Sequence, residues 1–399
     1  MIRTAIIGVG NMGSKYASII QSGAVPEMKL AAITRVRGAY RDLLLPSIEA
    51  GLPVYDNAGA LFDAIESGET AADAVIIATP HYAHEESALR AFRNGLHVLC
   101  EKPSGVYSRQ AREMEEAAAE AEKTAGAVFG IVFNQRTLPV YQRLHELVKS
   151  GEYGALKRVN WIVTDWYRPD PYYAASSWHA AWKSDGGGII LNQCPHNLDL
   201  LQWICGMPAR VQAFCKEGHY HDIEVEDDVT AYLEWENGAS GTFVTSTGDA
   251  PGLNRLEISL EEAMIVCENG KLRIGTLQEE LGQKEADYRR TSQDFFRKIR
   301  GTWHEETPPA EPAPYQRVLQ NFADACCGKG TCTAPGNEGR KSLLISNAIY
   351  LSSWEKRMVE LPAAGSGQER IFEKEFEAWL ERKIREEAAD STGGGDKSG

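Results

Sequence analysis

Three short stretches of this sequence carry side chains whose types and spacing could do chemistry. The first, "LNQCPH" (191–196), sets the thiol of Cys194 two positions before the imidazole of His196, with the amide of Asn192 four residues ahead of that histidine. A metal half-site needs three or four ligands, and no further Cys/His pair complements this one, so no metal is expected. A thiol nucleophile with its base finds no support elsewhere in the chain. Pro195 instead suits the first position of a helix, "PHNLDLLQWICG", making Cys194 its start residue and placing His196 in its first turn. The positive end of the helix dipole disfavours an imidazolium there. The expected histidine is neutral and able to take a proton near pH 7.

The second stretch is "AIIGVGNMGSKY", a G-x-G-x-x-G pattern at Gly8, Gly10 and Gly13 that follows one apolar run and opens a helix. The first glycine allows a tight turn, the second admits a pyrophosphate to the backbone, and the third permits close helix–strand packing. Asn11 and Met12 lie inside the loop and are expected at the same dinucleotide. The second strand of such a unit normally ends in an acid that binds a ribose 2′-hydroxyl. Here it reads "AAITRVRG", with Thr34, Arg35 and Arg37. A hydroxyl and a guanidinium can hold a 2′-phosphate that an acid would repel, so NADP(H) is favoured over NAD(H).

The elements that position these groups follow from periodicity. Residues 4–8, 30–34, 74–78 and 97–100 are β-branched or apolar runs that read as buried strands, and the segments between them read as helices ending at glycines. Alternating strands and helices imply a parallel, doubly wound α/β sheet. Beyond about residue 134 longer strand candidates appear. One is a hairpin in "DVTAYLEWENGASGTFVTST", turned at Asn237-Gly238. This portion reads as an α+β domain on a mostly antiparallel sheet whose free face is available for oligomerisation. The 399 residues and formal charge of −14 fit two cores and a small-molecule role, and argue against a nucleic-acid surface. No segment has membrane length, and eight scattered cysteines without a CxxC pair favour reduced thiols in a cytoplasm.

The third stretch, "ATPHYAHEESALRAFRNGLHVLCEKPSG", combines T-P-x-x-x-H, a helix and G-x-H-V-x-x-E-K-P. With the glycine loop before it and "GGGIILNQCPHNLDLL" after it, the chain resembles the Gfo/Idh/MocA oxidoreductases over about residues 1–360. The resemblance implies a Rossmann domain followed by a domain on a large open sheet, and hydride transfer at a carbinol carbon of a sugar, cyclitol or related polyol. It places Gly8, Gly10, Gly13, Thr79, Pro80, His84 and Glu101 along the dinucleotide, Lys102 at the reacting hydroxyl, and His196 as the second acid/base group. Independently, Lys102 follows a strand at the carboxyl edge of the sheet, where its ammonium can hold an alcohol oxygen and stabilise alkoxide character. His81 and Tyr82 stand in the same loop as His84 and could face the nicotinamide. The family motif commonly has an aspartate where this chain has Asn192, so a carboxylate relay is unavailable at that position; the amide can orient Lys102 or a substrate hydroxyl.

The segment "TDWYRPDPYYAASSWHAAWKSDGGG" is rich in aromatics, and its Asp165, Tyr167, Tyr173, Trp178 and His179 suit a carbohydrate ring with apolar faces and polar edges. Asn134 and Arg136, at the expected junction, are further substrate candidates. The expected layout is a dinucleotide domain at 1–133, a substrate and oligomerisation domain at 134–365, and a C-terminal helix with a disordered tail at 366–399. The expected protein is a homodimer or homotetramer formed through the second sheet. Two other functions fit the same residues: a relative that cleaves glycosides by transient ring oxidation, and a non-catalytic nucleotide-binding sensor.

Overall fold

The computed structural model describes residues 1–35, 40–174, 180–277, 289–293, 295–296, 301–311 and 313–393. Its first sheet holds β1 (Ile2–Ile7), β2 (Met28–Thr34), β3 (Val54–Tyr55), β4 (Ala74–Ile77), β5 (His97–Cys100) and β6 (Phe129–Ile131). Their spatial order is β3-β2-β1-β4-β5-β6, and every pairing is parallel. The near-continuous apolar runs fit strands covered on both faces, and β4 is buried at every position. Helices α1 (Asn11–Gln21), α2 (Tyr40–Glu49), α3 (Ala58–Glu66), α4 (His84–Arg93) and α5 (Ser108–Ala125) make the crossovers. Strand order reverses between β1 and β4, so the loops after those two strands diverge and leave a crevice at the carboxyl edge.

The chain then passes through α6 (Pro139–Lys149) into a nine-stranded sheet. Its strands include β7 (Leu156–Val163), β8 (Arg210–Glu217), β9 (Glu226–Glu234), β10 (Ser240–Ser246) and β11 (Asn254–Leu260). The β7–β10 pairing is parallel and the other pairings are antiparallel. The expected hairpin is β9–β10, with Gly238 in the left-handed region at φ +82°. One face of this sheet is buried: Trp161, Val163, Ala231 and Phe243 share a core with α9 (Pro195–Cys205) and α11 (Gly336–Glu355). The alternate residues point the other way. Phe214, Thr230, Val244 and Ile162 are consecutive partners across four strands, and Phe214 is 64% exposed.

The last helix, α12 (Gly367–Gly393), docks through Phe372, Phe376 and Leu380, with Phe376 stacked 5.7 Å from Trp354. It extends into the first residues of the run "STGGGDKSG", expected to be disordered; the remainder of that run lies outside the described residues. Among the described residues, no helix is long and apolar enough to cross a membrane.

Candidate active site

The glycine loop owes its shape to close backbone approach. Gly8 sits at φ +88°, and a Cβ on it would lie 2.5 Å from the carbonyl oxygen of Ala78. A Cβ on Gly13 would lie 2.1 Å from the Gly8 oxygen. Gly10 differs, because a Cβ there would meet nothing within 4 Å. It is also the N-cap of α1, where no side chain caps the free N–H groups and no acid occupies the first turn. Open space above uncapped donors at a helix start fits a pyrophosphate. The loop borders a cavity of about 600 Å³ lined by Gly8–Met12, Arg35, Ala78–His81, Glu101, Lys102, Tyr172 and Asn192.

Of the expected dinucleotide residues, Gly8, Gly10, Asn11, Met12, Arg35, Thr79, Pro80, Glu101 and Lys102 reach this cavity, and the Thr79 hydroxyl is buried without a partner among the described residues. Two others have different tasks. Thr34, expected at a 2′-phosphate, is buried and accepts a hydrogen bond from the Gly8 N–H at 2.9 Å, which holds the loop itself. His84, expected to contact the dinucleotide, is wholly buried with both ring nitrogens 2.8 Å from carbonyl oxygens, those of Thr79 and Pro103. It ties the loop after β4 to the loop after β5. Burial, with His81 nearby, lowers its pKa to about 4, opposed by the two carbonyls, each of which favours a protonated nitrogen. Arg35 is ion-paired with Asp56, and both are largely exposed. Arg37 lies outside the described residues.

Lys102 extends from the end of β5 and donates through Nζ to the main-chain oxygen of Asn192, 2.8 Å away. Burial lowers its pKa, opposed by Glu101 and Asp185. Glu101 accepts hydrogen bonds from the Tyr16 hydroxyl and from the Lys102 N–H (3.0 Å). Burial raises its pKa against the pull of Lys102. Asn192 closes a short helix, α8 (Ile189–Asn192), whose start is held by Glu226. That buried carboxylate accepts from the N–H groups of Gly188 (2.8 Å) and Ile190 (2.9 Å) and from the Tyr350 hydroxyl (2.8 Å). Burial lifts its pKa to about 7, against the pull of those three donors.

The Asn192 side chain does not orient Lys102. Its amide donates to Asp185 Oδ2 at 2.9 Å, and the residue's backbone carbonyl does the orienting. His196 falls in the first turn of α9, as its sequence implied, with Pro195 at the helix start. It packs edge-on to Phe133 at 6.1 Å and is 8% exposed, and its Nδ1 has no hydrogen-bond partner among the described residues. Burial, reinforced by the Lys102 charge, holds its pKa well below the usual histidine range. The ring is therefore neutral, as expected. The expected proton uptake near pH 7 does not fit this environment, because a proton there would be buried beside an ammonium. Cys194 is a packing residue, with Sγ 3.2 Å from the Thr245 hydroxyl.

The expected substrate residues divide. Asp165 and Tyr167 are exposed on the segment after β7. Tyr172, rather than Tyr173, reaches the cavity, because the Tyr173 hydroxyl donates to Thr247 Oγ1 at 3.0 Å. Asn134 is buried, and its side-chain oxygen has no partner among the described residues. Arg136 is corrected to a structural role: 1% exposed, it forms a two-pronged pair with Asp199 (2.7 and 2.5 Å) and a third contact to Glu338 at 3.0 Å, leaving no free donor face for substrate. Trp178 and His179 lie outside the described residues. Sequence reasoning missed Asp185, Glu226 and Asp56. An acid set directly before three glycines was the one available signal for Asp185, since a Cβ on Gly186 would lie 2.5 Å from Val106 and one on Gly188 would lie 2.0 Å from the Glu226 oxygen.

A parallel sheet with a glycine loop at its switch point, and a half-buried lysine facing the same cavity from the end of β5, define a two-part dinucleotide-binding oxidoreductase. The chain matches the oxidoreductase family with an NAD-binding Rossmann fold over residues 2–129 and the GFO/IDH/MocA C-terminal domain over residues 141–266; it belongs to the Gfo/Idh/MocA family. It is 26% identical over 358 residues to the 1,5-anhydro-D-fructose reductase of Ensifer adhaerens, covering 87% of this chain and 98% of that one. The levoglucosan dehydrogenase of Pseudarthrobacter phenanthrenivorans is 24% identical over 322 residues, covering 72% and 80%. The WlbA dehydrogenase of Bordetella pertussis, solved with NADH and UDP-GlcNAcA, superposes with a TM-score of 0.70 at 25% identity, covering 91% and 99%.

Replacing Gly10 by valine fills the open space above α1 without meeting the protein's own atoms. The variant is expected to keep its melting temperature and to bind NADH at least about tenfold more weakly by fluorescence titration. Undiminished binding would move the dinucleotide off this loop.

Proposed function

We propose that this protein transfers hydride reversibly between a nicotinamide dinucleotide and a hydroxyl-bearing carbon of a sugar, cyclitol or glycoside. The observation that carries the reading is Lys102, half-buried at the wall of the dinucleotide cavity and aimed by the Asn192 carbonyl. The names of the relatives, all acting on sugars or sugar derivatives, support the substrate class. The bound dinucleotide supplies the hydride acceptor or donor. Lys102 binds the reacting oxygen and stabilises the negative charge that grows on it as the carbinol hydrogen leaves. His196, held neutral, offers a hydrogen bond to a substrate hydroxyl beside it. Tyr172, with a guanidinium (Arg168) 5.0 Å from its ring, gives a flat apolar wall for a sugar face, and Tyr167 and Asp165 on the same segment meet the polar edge. A cytoplasm, where eight unpaired thiols stay reduced, is the matching compartment.

Arg35 at the ribose end of the cavity favours NADP(H), while its partner Asp56 works against a 2′-phosphate. The uncovered row Phe214–Thr230–Val244–Ile162 is the surface through which two copies associate.

Four measurements test these statements. Against a panel of sugars, cyclitols and glycosides with both cofactors, the wild-type protein should reduce nucleotide. Lys102→Met should lose roughly 10²–10³-fold in kcat while NADH binding is spared; retained turnover would remove Lys102 from the chemistry. Asp56→Asn is expected to raise the NADPH-to-NADH affinity ratio several-fold, and an unchanged ratio would place Arg35 away from the ribose. Phe214→Glu should lower the mass found by sedimentation; an unaltered mass would put the contact on another face.

A further inference from the structure

Position 192 lacks the carboxylate common in this family's motif, and His196 is a poor resting place for a proton. The cleft nevertheless contains a buried carboxylate beside an imidazole. Asp185, 1% exposed, precedes the glycine run that presses the chain against Val106, Tyr350 and the Glu226 backbone. Its carboxylate accepts from the Asn192 amide at 2.9 Å through Oδ2, and its Oδ1 lies 3.2 Å from His81 Nδ1. The same ring nitrogen is 2.8 Å from the Asp185 main-chain oxygen. Both neighbours of Nδ1 are acceptors, so Nδ1 carries a hydrogen and Nε2 is the basic nitrogen of the neutral ring. His81 begins the short 3₁₀ turn after β4, and it lines the dinucleotide cavity together with Lys102, Asn192 and Tyr172. The two residues are 104 positions apart in sequence, and the fold brings them together at this cleft.

We propose that His81 is the acid/base residue of the site and that Asp185 orients it, supplying the carboxylate that position 192 lacks. The proposal rests on the hydroxyl-oxidation reading above. In the oxidation direction the carbinol C–H bond breaks, and its electron pair leaves with the hydrogen as hydride to the oxidised dinucleotide. The O–H electron pair becomes the second carbon–oxygen bond, and the proton passes to His81 Nε2. The resulting imidazolium faces the Asp185 carboxylate and releases its proton to water after the carbonyl product departs; reduction runs the same steps backwards. Among the described residues, the charged or titratable groups around the ring include Asp185 from the glycine-run loop, His84 with its ring 6.0 Å away, and Lys102 from the end of β5. The carboxylate favours the imidazolium, whereas Lys102 opposes it. Asn192 links the two halves of the site, with its carbonyl on Lys102 and its amide on Asp185.

The sign of the pH effect follows. Oxidation needs neutral His81, so its rate rises with pH through the titration of that ring; removing the carboxylate lowers the pH at which the rise occurs. The test compares pH profiles of kcat for the holoenzyme, together with a ¹⁵N NMR titration of the histidines in the protein without substrate. Asp185→Asn is expected to shift the acidic limb, and the His81 resonance with it, to lower pH. His81→Gln should abolish the limb and lower kcat by about 10²-fold, with NADH affinity unchanged. His196→Asn should keep the limb. A limb that survives in His81→Gln, or vanishes only in His196→Asn, overturns the proposal. If no panel compound turns over, the substrate reading fails separately, and the NMR titration still decides on the pair: a His81 titration indifferent to Asp185→Asn overturns it.

Discussion

The contact from Lys102 Nζ to the Asn192 carbonyl is the constraint on which the site depends. It joins the end of a strand in the parallel sheet to the end of a short helix packed under the second sheet, so both halves of the chain must be folded for it to form. An ammonium that is largely removed from water is costly unless its hydrogen bonds are satisfied. The backbone carbonyl meets that need without adding a second charge, and Glu101 and Asp185 add attraction from farther off. A main-chain acceptor also fixes the position of Lys102 more firmly than a rotatable side chain would. The supports lie one layer out: Glu226 on the N–H groups that start α8, and the Tyr16 hydroxyl on Glu101.

Burial and charge then decide what each titratable group can do. His84 and His196 are both pushed toward the neutral form, by burial first and by a neighbouring cationic or titratable group second. Their positions separate their uses. His84 spends its ring on the carbonyls of two loops that border the cavity, so it shapes the site without facing it. Arg136 shows the opposite outcome of the same competition. Its burial is offset by two carboxylates, Asp199 and Glu338, and the guanidinium locks the turn after β6 to α9 and α11. Losing one partner from such a buried pair typically costs about 3–5 kcal/mol, a structural rather than catalytic consequence.

Much of the fold and part of the site were legible in the sequence, for a reason that is local. The glycine loop, the strand ends and the proline-started helix of His196 are each specified within a dozen residues, by backbone sterics or by periodicity. The misassignments all concern long-range choices of partner. Thr34 ends the second strand, where a ribose-binding residue is expected, but its hydroxyl serves as the acceptor for the Gly8 N–H, 26 positions away. Arg136 could not be told from a substrate-binding arginine until Asp199 and Glu338 were found beside it. Tyr172 and Tyr173 are adjacent, and only the backbone direction of a short helix decides which one reaches the cavity.

The same reasoning accounts for the amide at position 192. Its side chain lies within hydrogen-bond distance of the Asp185 carboxylate, which is buried. An aspartate at 192 would place two carboxylates together out of water, and one would have to hold a proton to relieve the repulsion. The shared proton would only restore the donor and the single negative charge that Asn192 and Asp185 provide without it. With Asp185 present, an amide is the side chain of the same shape that satisfies the carboxylate and leaves the site with one buried negative charge fewer. The departure at Asn192 and the acid before the glycine run therefore belong together. In this chain a carboxylate stands seven residues before Asn192, with the His81 Nδ1 3.2 Å from its Oδ1.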